Sequence, residues 1–111
     1  MQSVENHTDL VGTVRARRPH PHLPDFDLLH VEVEQTAPVG GMADLLSSTV
    51  GQELQVTVRR ALLDDKVGPG VSLRCPARRT PDGAMADTYP EPGSFVVTGT
   101  GADVPFSDAT D

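Results

Sequence analysis

The sequence predicts an all-β fold: a five-stranded antiparallel, partly open barrel with one or two short helices. Residues 53–59 alternate apolar and polar side chains, which places the apolar ones on one face of a strand. Similar alternation recurs in four other segments, which are separated by turn residues. The chain has 111 residues, which fits one domain, and a sheet that closes on itself protects the strand edges of so small a protein.

Two strands are predicted on either side of a proline-rich loop. Residues 10–18 form the first strand, in which Gly12 interrupts the alternation and marks a bulge. Residues 19–25 include three prolines and form a stiff loop, because proline has no backbone N–H to give to a sheet. Residues 26–35 form the second strand. Its inward-facing residues are Leu29, Val31 and Val33.

Pairing of these two strands predicts neighbours for several charged side chains. If the strands pair across the loop, Arg15 lies opposite Glu32, and Arg17 lies opposite His30. Cross-strand pairs of this kind contribute about 0.2–1 kcal/mol each. Support of the sheet is therefore a sufficient role for these arginines.

A short helix, a third strand and a lobe are predicted next. Residues 42–50 place apolar side chains at helical spacing, and Gly51 suits the position that follows a helix. Residues 52–59 form the third strand, and its inward-facing residues are Leu54, Val56 and Val58. Residues 60–67 form either one helical turn or an irregular lobe, and the sequence leaves both alternatives open.

Two further strands complete the predicted sheet. Residues 71–79 form the fourth strand, where Pro76 predicts an edge or a bulge. The inward-facing residues of this strand are Val71, Leu73, Cys75 and Ala77. Residues 80–83, Thr-Pro-Asp-Gly, predict a tight turn, because proline suits the second position and glycine the fourth. Residues 84–93 are predicted to be irregular, and residues 94–98 form a short fifth strand.

The pattern of these strands resembles the OB-fold, a family of small β-barrels. Residues 51–75 combine an opening glycine, a Leu-x-Val-x-Val strand, a lobe and the segment Pro-Gly-Val-x-Leu-x-Cys. With the flanking strands, the resemblance covers residues 10–98 and rests on the strand pattern rather than on a diagnostic motif. OB-folds carry a helix between strands three and four, so residues 60–67 would supply it, whereas the helix predicted at 42–50 precedes strand three.

The chain divides into three regions by composition. The expected regions are a flexible N-terminus at residues 1–9, the single barrel domain at residues 10–98 and a disordered acidic tail at residues 99–111. The net charge of −7 is unevenly distributed, because residues 81–111 contain six acidic and no basic residues. The predicted barrel is therefore close to neutral over most of its length.

The compartment is inferred from the N-terminus and from cysteine usage. The N-terminal residues lack the positive and apolar regions of a secretory signal, and no apolar run is long enough to cross a membrane. The single cysteine excludes an intramolecular disulfide and a cysteine-based zinc cage. We therefore expect a cytoplasmic protein without a membrane partner.

The arginines are the first candidate binding residues. They fall into three groups along the predicted strands. The candidates for nucleic-acid or ligand binding are Arg15, Arg17, Arg59, Arg60, Arg74 and Arg78. OB-folds bind single-stranded nucleic acid through a positive groove and stacked aromatic rings, but no aromatic residue alternates with these arginines. The alternative is that the arginines are solvated strand residues paired with glutamates.

A histidine pair is the candidate metal site, and the cysteine is a weak candidate nucleophile. His20 and His22 lie two residues apart in an extended proline-rich segment, and imidazoles bind zinc, copper or nickel. The alternative is a stiff surface loop that binds no metal. Cys75 lies among inward-facing residues, so a buried and inert thiol is expected rather than a nucleophile.

These features favour a small non-enzymatic binding or accessory protein. The chain contains no phosphate-binding glycine loop, no nucleophile elbow and no zinc-protease motif, and we assign no catalytic residue and no cofactor. The favoured partner is an unknown protein or small molecule, bound by loops on a rigid scaffold. Two alternatives are single-stranded nucleic-acid binding through the arginines and a metal-binding protein or small metal-dependent enzyme that uses the His20/His22 loop.

Overall fold

The strands of this protein form one sheet that curls into a barrel. The computed structural model describes residues 6–99, and all statements about structure refer to this range. The sheet has six strands in the order β1-β2-β3-β5-β4-β6. The strands are β1 (Thr8–Pro19), β2 (Phe26–Pro38), β3 (Glu53–Arg59), β4 (Ser72–Thr80), β5 (Gly83–Ala86) and β6 (Val96–Thr98).

Two long-range pairings close the barrel. β1 pairs antiparallel with β2 on one side and with β4 on the other, and β3 pairs parallel with β5. Strands β1 to β5 therefore form a small closed five-stranded barrel, which is consistent with the resemblance to OB-like barrels, and β6 is an additional strand on β4. The predicted all-β barrel is confirmed. The prediction of a purely antiparallel sheet is wrong, because β3 and β5 pair parallel. The turn residues of the sequence do not indicate that these two distant strands pair.

Two bulges set the register between β1 and β2. The register shifts between Val11 and Gly12, as Gly12 predicted, and again between Val14 and Ala16. The second shift puts Ala16 opposite His30, so the predicted Arg17–His30 pair does not form. A bulge adds one residue to one strand and moves every later partner by one position.

The predicted short helices are replaced by two 3₁₀ turns in the described part of the chain. These turns are Ser47–Thr49 and Arg60–Leu62. The helix expected at 42–50 is absent because nearby side chains form hydrogen bonds with the backbone N–H and carbonyl of Leu46. The Asp44 carboxylate accepts the Leu46 N–H at 3.0 Å, and the Thr49 hydroxyl donates to the Leu46 carbonyl at 2.6 Å. Such local bonds compete with helical hydrogen bonds.

The fifth barrel strand comes from a segment that the sequence predicted to be irregular. The predicted turn at Thr80–Gly83 forms, and it leads directly into β5. The strand predicted at 94–98 is β6. β1 pairs with one edge of β4, and both β5 and β6 pair with the other edge. Residues 87–95 therefore connect β5 to β6, and the two strands pair with different parts of the same edge of β4. The small side chains of β5 gave no strong hydrophobic signal.

The core contains most of the predicted inward-facing strand residues, together with Ala84 and Ala86 of β5, which were not predicted. Leu29, Val31 and Val33 of β2 pack with Val56 and Val58 of β3 in one buried cluster. The cluster also includes Leu10, Val14, Leu46, Leu73, Cys75, Ala77, Ala84 and Ala86. Burial of each large side chain contributes about 1.5–3 kcal/mol, so this interior is the main source of stability.

Candidate functional site

Strand register places five side chains in one row across the barrel. Arg18 of β1 lies opposite Leu28 of β2, and Leu28 lies opposite Thr57 of β3. Thr57 in turn pairs with Met85 of β5, which pairs with Arg78 of β4. A groove of about 750 Å³ covers the middle of this row. We call it the barrel-face groove, and its lining includes Arg18, His20, His22, Leu28, Gln55, Thr57 and Met85.

The loop between β1 and β2 forms one wall of the barrel-face groove. The His20 Nδ1 atom accepts the backbone N–H groups of His22 and Leu23 at 3.0 and 3.1 Å. The loop is closed at its base by a bond from the His20 N–H to the Phe26 carbonyl at 3.0 Å. Leu28 alternates outward in β2 but is only 7% exposed, which is consistent with its place in the groove lining beside this loop.

The two histidines lie close enough to act together but have little support from other ligands. Their ring centroids are 6.1 Å apart. Within residues 6–99, no group of three or more histidine, cysteine or acidic side chains is arranged to hold a metal ion. The Nδ1 atom of His20 is already occupied by the loop backbone, which leaves Nε2 as its available ligand atom. The metal site at His20 and His22 stays a prediction.

The barrel-face groove is almost balanced in charge. The groove lining includes the positive charge of Arg18 and the carboxylates of Glu53 and Asp82. The Glu53 carboxylate lies 3.3 Å from the His30 Nδ1 atom, on the outer surface of β2 and β3. With neutral histidines, the charged groups of the lining leave a single negative charge, so this groove is not an electropositive channel.

Two of the candidate arginines form exposed ion pairs outside the groove. The Arg15 Nε atom donates to Glu32 at 2.9 Å, so the predicted pair forms, although Thr13 is the residue directly opposite Glu32. Arg74 donates three bonds to the Asp9 carboxylate, the shortest at 2.8 Å. The hydrogen bond and the charge of the partner carboxylate raise the pKa of each guanidinium above its usual value.

Arg17 and Arg60 converge on a buried carboxylate. Asp27 is 4% exposed, and each of its oxygens accepts a bond of 2.8 Å, one from the Nε of Arg17 and one from that of Arg60. Burial alone would raise the pKa of Asp27, but the bonds and charges of the two arginines outweigh it and lower the pKa. Arg17 also donates to the Asp64 and Val67 carbonyls, which fastens the segment that follows β3.

The Arg59 side chain packs against the ring of Tyr89, a contact that the sequence pattern did not reveal. The Arg59 Cζ atom lies 4.7 Å from the centroid of the Tyr89 ring, and its Nε donates to the Thr88 carbonyl at 2.9 Å. Tyr89 is 82% exposed. It stands in the 87–95 segment, thirty positions from Arg59, and only the barrel brings them together. The only indication in the sequence of a role for Tyr89 was that it is a single aromatic residue in a polar, proline-containing segment.

The last two candidates differ in their surroundings. Arg78 is exposed, and its side chain makes no hydrogen bond or ion pair with the described residues. Cys75 is fully buried, and burial raises the pKa of its thiol to about 12. The predicted burial of Cys75 is confirmed, and a thiol with that pKa is protonated at neutral pH.

Comparison with protein-family models, curated proteins and solved structures finds no match. In the described range, no helix is long and apolar enough to cross a membrane. The predictions for residues 1–5 and for the acidic tail from residue 100 onward lie outside the described residues, and the cytoplasmic location stays a prediction.

Proposed function

We propose that this protein is a small non-enzymatic binding protein that takes a polar ligand in the barrel-face groove. The ligand is a small molecule or a short segment of a partner protein. The observation that carries the proposal is the groove itself. Its volume of about 750 Å³ lies within the range of about 300–1,000 Å³ typical of ligand sites. OB-type barrels bind their ligands on this face of strands two and three, between the flanking loops.

The lining of the groove supports a polar but not polyanionic ligand. Leu28 and Met85 offer apolar contact at its floor, whereas Gln55 and Thr57 offer hydrogen-bond donors and acceptors. Arg18 offers a donor pair for a carboxylate. The excess of one negative charge disfavours a ligand that carries several phosphates.

A matched pair of substitutions tests this proposal. Gln55 lies in the groove and Gln35 lies outside it, and both are exposed residues of neighbouring strands. Dodecapeptides displayed on phage and a set of small carboxylic acids serve as probes, and hits are titrated by two-dimensional amide NMR. We expect shifts at Thr57 and Met85, loss of binding in Gln55→Tyr and unchanged binding in Gln35→Tyr. Equal loss in both variants, or no hit from either library, contradicts the proposal.

A further inference from the structure

Three depressions on the barrel surface share arginine side chains in their linings. Arg18 lines both the barrel-face groove and a second depression of about 600 Å³, which Arg17 and Arg60 also line. Arg60 lines that second depression and a third of about 440 Å³, together with Arg59 and Tyr89. The second and third depressions therefore share the Arg60 side chain in their linings. We give the name arginine track to five of the residues that line them: Arg17, Arg18, Arg59, Arg60 and Tyr89.

The arginine track is electropositive, unlike the barrel-face groove. Its four guanidinium groups face two carboxylates, those of Asp25 and Asp27, which leaves two positive charges in excess. Arg18 makes no hydrogen bond or ion pair with its side chain in the described range. Arg60 keeps 45% of its side chain exposed while it holds Asp27, so part of its guanidinium faces solvent. Exposed guanidinium groups bind phosphate oxygens well.

Tyr89 gives the arginine track a flat surface at one end. One face of its ring lies against Arg59, and the Thr88 carbonyl holds that guanidinium in place. Because the ring is 82% exposed, its other face is open to a planar group. A base that stacks on an aromatic ring gains stability whatever its sequence, and a guanidinium beneath the ring adds to the arrangement.

We propose that the arginine track is a second binding site, for a ligand that joins a planar base to phosphate. The base stacks on the open face of Tyr89, and its phosphate contacts Arg59 and Arg60. Arg18, in the next depression, meets a further phosphate when the ligand is a strand. A free nucleotide and a single-stranded nucleic acid share this chemistry. The site shares Arg18 with the barrel-face groove, but Gln55 and Thr57 line the groove and not the arginine track.

The test uses the full chain with two probes. A fluorescein-labelled oligothymidylate of about twelve nucleotides reports strand binding by anisotropy, and thymidine monophosphate reports nucleotide binding by NMR. We expect strand affinity to fall with salt with a slope near −1.4 on a log–log plot, as about two phosphate contacts require. Tyr89→Leu should weaken binding about 5- to 100-fold, and Tyr89→Phe should bind like the wild type.

Controls separate this site from the groove and from general charge. Arg74→Ala removes an exposed arginine that lies outside all three depressions, and it should leave binding within about twofold. Gln55→Tyr blocks the groove and should leave binding at Tyr89 intact. Tighter binding of the strand than of the monophosphate identifies a strand as the ligand, and equal binding identifies a nucleotide. No binding of either probe at low salt, or an unchanged affinity in Tyr89→Leu, overturns the proposal.

Discussion

Replacement of Gly83 by alanine tests the parallel contact that closes the barrel. Gly83 begins β5, and its φ of +148° lies in a region that L-residues rarely adopt. A Cβ atom at this position would overlap the carbonyl oxygen of Gln55 on β3 and would lie 3.2 Å from its carbonyl carbon. Both obstacles belong to backbone atoms, so no side chain can turn away to relieve them.

The expected loss of stability is the sum of two effects. A non-glycine residue held in an unfavourable backbone conformation costs about 1–3 kcal/mol. Overpacking that moves a neighbouring strand costs about another 1–3 kcal/mol. We therefore expect Gly83→Ala to lower the free energy of unfolding by about 2–6 kcal/mol, which is a large part of the 5–15 kcal/mol typical of a domain.

Three other glycines separate the two effects. Gly12 has no positive φ, but a Cβ there would overlap the Glu32 carbonyl oxygen, so its alanine variant should lose about 1–3 kcal/mol. Gly51 has a φ of +87° and open space around it, so strain alone should cost about 1–2 kcal/mol. Gly68 has neither feature and should change by less than about 0.5 kcal/mol.

Urea denaturation followed by far-UV circular dichroism measures the free energy of unfolding for all four variants. The expected order of loss is Gly83 first, then Gly12 and Gly51, with Gly68 last. If Gly83→Ala loses no more free energy of unfolding than Gly51→Ala, backbone strain alone explains the loss. That result would refute the close contact between β3 and β5.

Two other predictions concern buried ionisable groups. Asp27→Asn should lower the free energy of unfolding at pH 7 by about 2–4 kcal/mol, because it leaves Arg17 and Arg60 without their carboxylate. The folded pKa of Asp27 is lowered, so its contribution is complete above about pH 4 and is lost as the pH falls through the folded pKa. The difference between wild type and variant in urea denaturation should therefore narrow in acid, and a constant difference would contradict this role. Cys75, with a pKa raised to about 12 by burial, should resist iodoacetamide at pH 8 in the folded protein and react once urea unfolds it; rapid labelling without urea would show that the thiol is accessible.

The core could be predicted from the sequence because strand alternation is local. Val31, Val56 and Leu73 were assigned to the interior from their own neighbours in the chain, and all three belong to the buried cluster. β5 could not be assigned in this way. Its inward residues Ala84 and Ala86 are too small to stand out, and its partner β3 lies far away in sequence.

The candidate sites were predicted less completely than the core. His20 and His22 were recognised from their spacing, and the structure places both in the wall of the barrel-face groove. The arginines were recognised as a group, but their partners differ, because ion pairing depends on which carboxylate the fold brings near. Tyr89 was not associated with Arg59, since no periodicity connects residues on a strand with a segment outside it.

The sequence alone determined which side chains are buried, because the alternation of apolar and polar residues along a strand can be read from neighbouring positions in the chain. The tertiary structure decided the rest. It selected a parallel partner for β3 and moved β1 by two bulges. It also buried Asp27 between two arginines and placed Tyr89 on a third. Most of these contacts join residues far apart in the chain, and their free energy appears only when the barrel closes.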